Sequence, residues 1–248
     1  ILLWSKIGSN IGYKKVFIIG ITIFTISSLA IGICGLMPEL GLMSIIILRG
    51  VQGLGAGMSM SMSLAMVSSY LPAESRGSCI GAVTLSSSAG TAFGPAIGGI
   101  LTSVHWSYIF LINVPIGLIC LFLCLRYMKV DEEIPAEKKR LDALGAVLIF
   151  ITLFSMTYYL NEGRDIGWMS DIGIAILATM FVGAGLVAWW EQRASDPLIS
   201  MSMFKNENIL KSNLINLLLF MAISGCYLLL PYYLQYVQGL ETMEYGFI

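Results

Sequence analysis

Long apolar runs separated by short polar connections dominate the chain. Seven can be drawn, at about 16–37, 42–71, 79–104, 108–127, 141–160, 172–190 and 209–237. Each meets the length of roughly 20 mostly apolar residues that a helix needs to cross the hydrocarbon core. Lipid leaves unpaired backbone groups without water, and runs this long are not barrel strands, so the pattern predicts helices throughout. The expected fold is all-α: a polytopic membrane protein built as a helical bundle.

Two runs carry glycine at helical spacing. Gly90, Gly94 and Gly98 recur every four residues and share one helix face, with Gly99 beside them. A face without side chains lets a neighbouring helix approach closely. Pro95 removes a backbone donor within that run and is expected to kink the helix. Tight packing and a moving part both remain open readings of this segment. Gly53 and Gly57 form a second bare face. Met58, Met60, Met62 and Met66 follow, with Ser59, Ser61 and Ser63 between them. Methionine suits surfaces that accept varied apolar shapes, and it equally suits a packing face.

Composition agrees with the pattern. The chain is 57% hydrophobic and 12% charged, against roughly 25% charged residues in soluble domains. Its net charge of −1 says nothing about partners, because the charges are segregated along the chain, and nothing points to nucleic acid. Cys34, Cys79, Cys120, Cys124 and Cys226 all lie in or beside apolar runs without metal-type spacing, so no metal or redox role is expected. The chain opens on Ile1-Leu2-Leu3-Trp4, which reads as the last turn of a helix, and ends at Tyr245-Gly246-Phe247-Ile248 as another apolar run starts. It reads as a fragment of a longer protein.

Arg49 stands apart from every other charge. It lies about seven residues into the second run, roughly 10 Å along a helix. A full charge within a membrane span is costly and marks function by default. The competing reading is snorkelling, in which the side chain leans toward the N-terminal end of its helix and reaches the interface. Gln52 lies one turn further along.

Several stretches resemble the major facilitator superfamily. Arg49-Gly-Val-Gln52-Gly53-Leu-Gly55 is similar to that family's fourth-helix motif. Gly90-Thr-Ala-Phe93-Gly94-Pro95-Ala-Ile-Gly98-Gly99 resembles the fifth-helix antiporter motif of its drug exporters. The run from Trp106 through Asn113 and Pro115 to Gly117 resembles the outer entry to helix six of the fourteen-helix drug:proton antiporters. Leu141-Asp142-Ala-Leu-Gly145 and the run from Asn161 to Trp168 resemble the extra helix pair of that branch. The resemblance implies that the chain covers family helices three to nine. Residues 1–130 would be the remainder of the N-terminal bundle, 131–205 a central cytoplasmic loop with the extra pair, and 206–248 the start of the C-terminal bundle.

It also implies a function: proton-coupled efflux of small amphipathic drugs through the bacterial cytoplasmic membrane. The implied transporter is a monomer in the lipid bilayer, driven by the proton gradient with no cofactor. Arg49 and Gln52 would take part in transport and proton coupling. Gly53, Gly57, Gly90, Gly94, Pro95, Gly98 and Gly99 would form the packing and antiporter motifs. Met58, Met62, Phe93 and Asn113 would line the substrate path, and Ser9, Gly12, Lys14, Lys15 and Arg76 would form a cytoplasmic gating loop. One departure stands in that loop. The family's Asp and Arg positions are Ser9 and Asn10 here, while Gly12, Lys14 and Lys15 are kept. Ser9 can accept a hydrogen bond as a helix cap but has no charge to pair. A carrier of another solute, such as a lipid, siderophore or sugar, is the main alternative. An intramembrane enzyme would want a His, paired carboxylates or a metal set at membrane depth. The sole histidine, His105, lies near the outer end of its helix.

Basic residues set the expected orientation. Of the 14, 12 fall in alternate connections, while Arg164 alone occupies the opposite set and Arg49 neither. The basic side is cytoplasmic, with Trp106, Tyr108 and Trp168 at the outer interface and Trp4, Trp189 and Trp190 at the inner. In a cysteine-free background, Lys139→Cys is expected to resist a membrane-impermeant thiol reagent in intact cells and Gly163→Cys to react; the reverse pattern would invert the topology.

Overall fold

The computed structural model describes residues 2–37, 41–128, 141–200, 203 and 205–239. Within them the chain is helical with no strand: α1 (Leu2–Ile11), α2 (Tyr13–Leu36), α3 (Gly41–Tyr70), α4 (Ala73–Val104), α5 (Tyr108–Leu111), α6 (Asn113–Tyr127), α7 (Ala143–Ile166), α8 (Asp171–Glu191) and α9 (Glu207–Tyr236). By length and composition, α2, α3, α5 with α6, α7, α8 and α9 are each able to cross a membrane. α4 has the length, at 32 residues, but is diluted by Ser, Thr and Gly. Lys129, Lys138, Lys139, Arg140, most of the expected central loop and the apolar run at 245–248 lie outside the described residues.

Three expectations are corrected. Helix α1 does not stop after Trp4 but continues to Ile11, ended by Gly12 at φ 103°. The run at 108–127 is divided at Ile112. Pro115 has no N–H for the Leu111 carbonyl four residues back, so the ladder is interrupted there. The run at 141–160 continues to Ile166. Its polar end, Asn161 to Asp165, stays helical until Gly167 turns the chain at φ 88°. Arg164 thereby falls in the last turn, where a cation suits the helix dipole.

Two compact units are present, one containing α1–α6 and the other α7 and α8. In the first, α2 is the hub, packing against α3, α5 and α6. Small residues make this possible. A Cβ built on Gly20 would lie 2.7 Å from Met58 Cβ and 3.0 Å from the Gly55 carbonyl oxygen, and one on Gly55 would lie 2.7 Å from the Gly20 carbonyl oxygen. Further along α2, Thr25 fills the space beside Gly117 of α6, Leu111 covers Gly32, and Trp106 and Ser107 cover Gly35. Val16, Met58, Met62 and Met66 form the buried core of the α2–α3 seam, flanked by Trp4, Ile7, Tyr13 and Phe17. The buried hydroxyls of α2 are satisfied locally, Thr25 donating to Ile21 O and Ser27 to Ile23 O.

In the second unit the helix starts are capped by side chains. Asp142 accepts from Gly145 N–H at 2.8 Å and Ser170 from Gly173 N–H at 3.1 Å. Trp168 folds back over Gly163, and its carbonyl accepts the Tyr159 hydroxyl at 3.1 Å.

The glycine face that packs α3 against α2 carries Gly55, not Gly53 and Gly57. Gly53 meets nothing within 4 Å and Gly57 only the edge of Trp4 at 3.9 Å. Gly55 lies two residues from each, on the opposite side of a helix of 3.6 residues per turn. Gly55→Ala is therefore expected to destabilise the protein by about 1–3 kcal/mol through backbone overpacking. Gly53→Ala should leave thermal unfolding in detergent unchanged.

Candidate functional site

A chain of donors runs from the intramembrane charge into the α2–α3 seam. Arg49 sits in the third turn of α3, and its Nη1 donates to Gln52 Oε1 at 2.9 Å. Gln52, buried at 4% exposure, donates through Nε2 to Ser28 Oγ of α2 at 2.7 Å. Ser28, fully buried, donates in turn to the Phe24 carbonyl at 2.6 Å. Each link fixes the next: Ser28 spends its proton on the backbone, so it can only accept from Gln52, which turns the other end of the amide toward Arg49. The guanidinium carbon stands 5.2 Å from the centre of the Phe110 ring, close enough for a cation–π contact. Trp106 in turn meets Phe110 edge-on at 6.1 Å.

Gln52 lies one turn along α3 from Arg49 and joins the guanidinium to the α2–α3 seam. No carboxylate pairs with Arg49 among the described residues, and a guanidinium has five N–H donors. Arg49 itself lies on an exposed face of α3.

The structure brings together only part of the residues predicted from sequence. Arg49 and Gln52 are joined directly. Met58 and Met62, read as substrate lining, are core residues at 5% and 0% exposure; their spacing puts them on the face that packs against α2. Phe93 is exposed on α4, a helix with no buried residue, and Gly90, Gly94 and Gly98 meet nothing within 4 Å among the described residues. The helix runs unbroken through Pro95 and Gly99 to Val104. Asn113 makes one long contact from its side-chain nitrogen to Ile109 O, at 3.5 Å.

The expected gating loop is largely helical. Ser9 lies inside α1 and donates to Lys6 O at 2.8 Å, so it is no cap for α2; Gly12 holds that position. Lys14 donates to the carbonyl of Met128 at the end of α6, Lys15 is exposed, and Arg76 donates to Leu71 O at 2.9 Å. Ser28 and Phe110 were missed from sequence. A serine within an apolar run is a visible signal for the first, whereas a phenylalanine among many gives none for the second.

The comparisons with known proteins agree with this architecture. A profile described as the Major Facilitator Superfamily matches residues 1–248. "Multidrug resistance protein Stp" of Mycobacterium tuberculosis is 35% identical over 230 residues, 92% of this chain and 42% of that protein. "Multidrug resistance protein 3" of Bacillus subtilis is 30% identical over 254 residues, covering 99% and 47%. "Multidrug export protein EmrB" of Escherichia coli is 30% identical over 235 residues, covering 94% and 45%. The chain thus spans less than half the length of these relatives.

The donor chain makes Gln52 and Ser28 energetically coupled. Gln52→Leu and Ser28→Ala are each expected to lower the thermal midpoint, and the double variant by less than the sum. The coupling energy should be about 0.6 kcal/mol, the scale of hydrogen bonds between membrane helices. Additive effects would show that the two side chains act separately.

Proposed function

Because the chain belongs to the major facilitator superfamily and is a multi-pass protein of the bacterial cell membrane, we propose that it forms part of a secondary transporter exporting amphipathic, cationic or neutral drugs in exchange for protons. The multidrug names of its relatives support the cargo class. Few polar side chains at membrane depth also favour apolar cargo over sugars. The transporter acts as a monomer and draws on the proton gradient rather than on a cofactor.

The observation that supports the reading is the tether of Arg49 to Gln52 and through it to Ser28, with no carboxylate paired to Arg49 among the described residues. A guanidinium near an exchangeable carboxylate favours its charged form, while burial favours the protonated form. A carboxylate that approaches and leaves Arg49 during alternating access therefore has a different proton affinity in each state. No acidic residue falls in the interior of the apolar runs, so the reading puts that carboxylate on a part of the transporter beyond residues 1–248. Gln52 and Ser28 keep the guanidinium from following its partner.

The test is efflux against an imposed pH gradient by the complete transporter in vesicles. Arg49→Ala should abolish it, and Arg49→Lys should impair it strongly, since an ammonium loses the planar fork of donors. Membrane insertion should stay near normal for both. Wild-type efflux from Arg49→Ala would overturn the reading. A silent Arg49→Lys would reduce the role to charge alone.

A further inference from the structure

The run from Trp106 to Gly117 plays no part in the proposed exchange at Arg49, yet it sets a ring against the intramembrane charge. Pro115 interrupts the helical ladder, which leaves α5 as a single turn of four residues. That turn is fixed against α2 by glycine. Leu111 covers Gly32, and a Cβ built on Gly35 would lie 2.7 Å from Trp106 Cη2. Trp106 in turn meets the Phe110 ring at 6.1 Å between centres, with the planes 88° apart. Phe110 is 8% exposed. Packing on its own turn and on α2 thus sets where the ring lies.

Over that ring lies the Arg49 guanidinium, its carbon 5.2 Å from the ring centre. The face of an aromatic ring is electron-rich and attracts a cation most strongly where water is scarce. Arg49 has no carboxylate partner among the described residues, and Gln52 Oε1, which accepts from it, is neutral. Phe110 adds an attraction for the charge itself, without a formal charge and without a proton to exchange. A leucine at position 110 would set an apolar wall against the guanidinium instead. The π contact is also weak beside a carboxylate, which a guanidinium grips through two parallel donors. It can therefore be given up when a carboxylate arrives.

We propose that Phe110 is a positioning residue for Arg49, its ring face holding the guanidinium whenever the exchanging carboxylate is away. The role in transport rests on the proton-coupled reading of Arg49; the contact itself does not. Gln52 ties one guanidinium nitrogen to the α2–α3 seam, and Phe110 ties the charge to α5. The two tethers come from different elements, so displacement of α5 against α3 loosens one and leaves the other. The glycines of α2 that seat α5 thereby help to place the intramembrane charge.

The test places phenylalanines of increasing ring fluorination at position 110 of the complete transporter. Fluorine draws electron density from the ring face and changes the ring's shape little. With Arg49 present, each added fluorine should lower the thermal midpoint relative to the same ring in an Arg49→Met background. That background keeps the Trp106 contact, so it removes any effect of fluorine on packing. Drug efflux from vesicles should slow by about two- to fivefold from phenylalanine to the trifluorinated ring, the factor a cation–π contact at an exposed site supplies. A merely structural ring would show neither change. Equal midpoint series in the two backgrounds would overturn the contact. Separated midpoints with unchanged efflux would overturn the positioning role. Wild-type efflux from Arg49→Ala would instead sink the proton-coupled reading, and the midpoints would still decide the contact.

Discussion

The close approach of α2 and α3 is the constraint on which the first unit depends. In lipid there is no hydrophobic drive to bring two apolar helices together, so contact area and hydrogen bonds must do it. Gly20 and Gly55 remove the side chains that would hold the backbones apart, each lying against the other helix's main chain. Everything else along the seam follows from that separation. The methionines on the same side of α3 reach Val16 because the backbones are close, and Gln52 reaches Ser28 for the same reason. A longer separation would leave a buried amide and a buried hydroxyl to find other partners.

The same geometry explains how a full charge is held within an apolar span. Arg49 is placed by a sequence of donors, each committed by the one below it, ending on the Phe24 carbonyl. None of these groups carries a formal charge, so the guanidinium is oriented without being neutralised. That separation of positioning from charge pairing is what the proposed exchange of partners at Arg49 requires. A permanent carboxylate at Gln52 would hold the guanidinium too strongly to exchange partners.

Much of this was legible in the sequence, for identifiable reasons. The apolar runs located the long helices because the length rule for crossing a bilayer is nearly independent of packing. Arg49 and Gln52 stood out because polar groups are rare there. What was hidden depended on which face of a helix meets which neighbour. Gly53 and Gly57 have the same spacing as a packing face, but Gly55 on the other side makes the contact. Met58 and Met62 satisfy a flexible lining and a core seam equally well in composition, and only the neighbouring helix distinguishes them. The polar residues of α1 and of the end of α7 concealed helix because the signal sought was apolarity.

The α7–α8 pair follows a different logic from the α2 hub. Its ends are satisfied within itself: Asp142 and Ser170 cap the helix starts, Trp168 covers Gly163, and Thr152 fills the space beside Gly183. Both helix starts therefore find acceptors for their first-turn amides inside the pair. The exception is Glu191 Oε1, which is buried without a partner among the described residues.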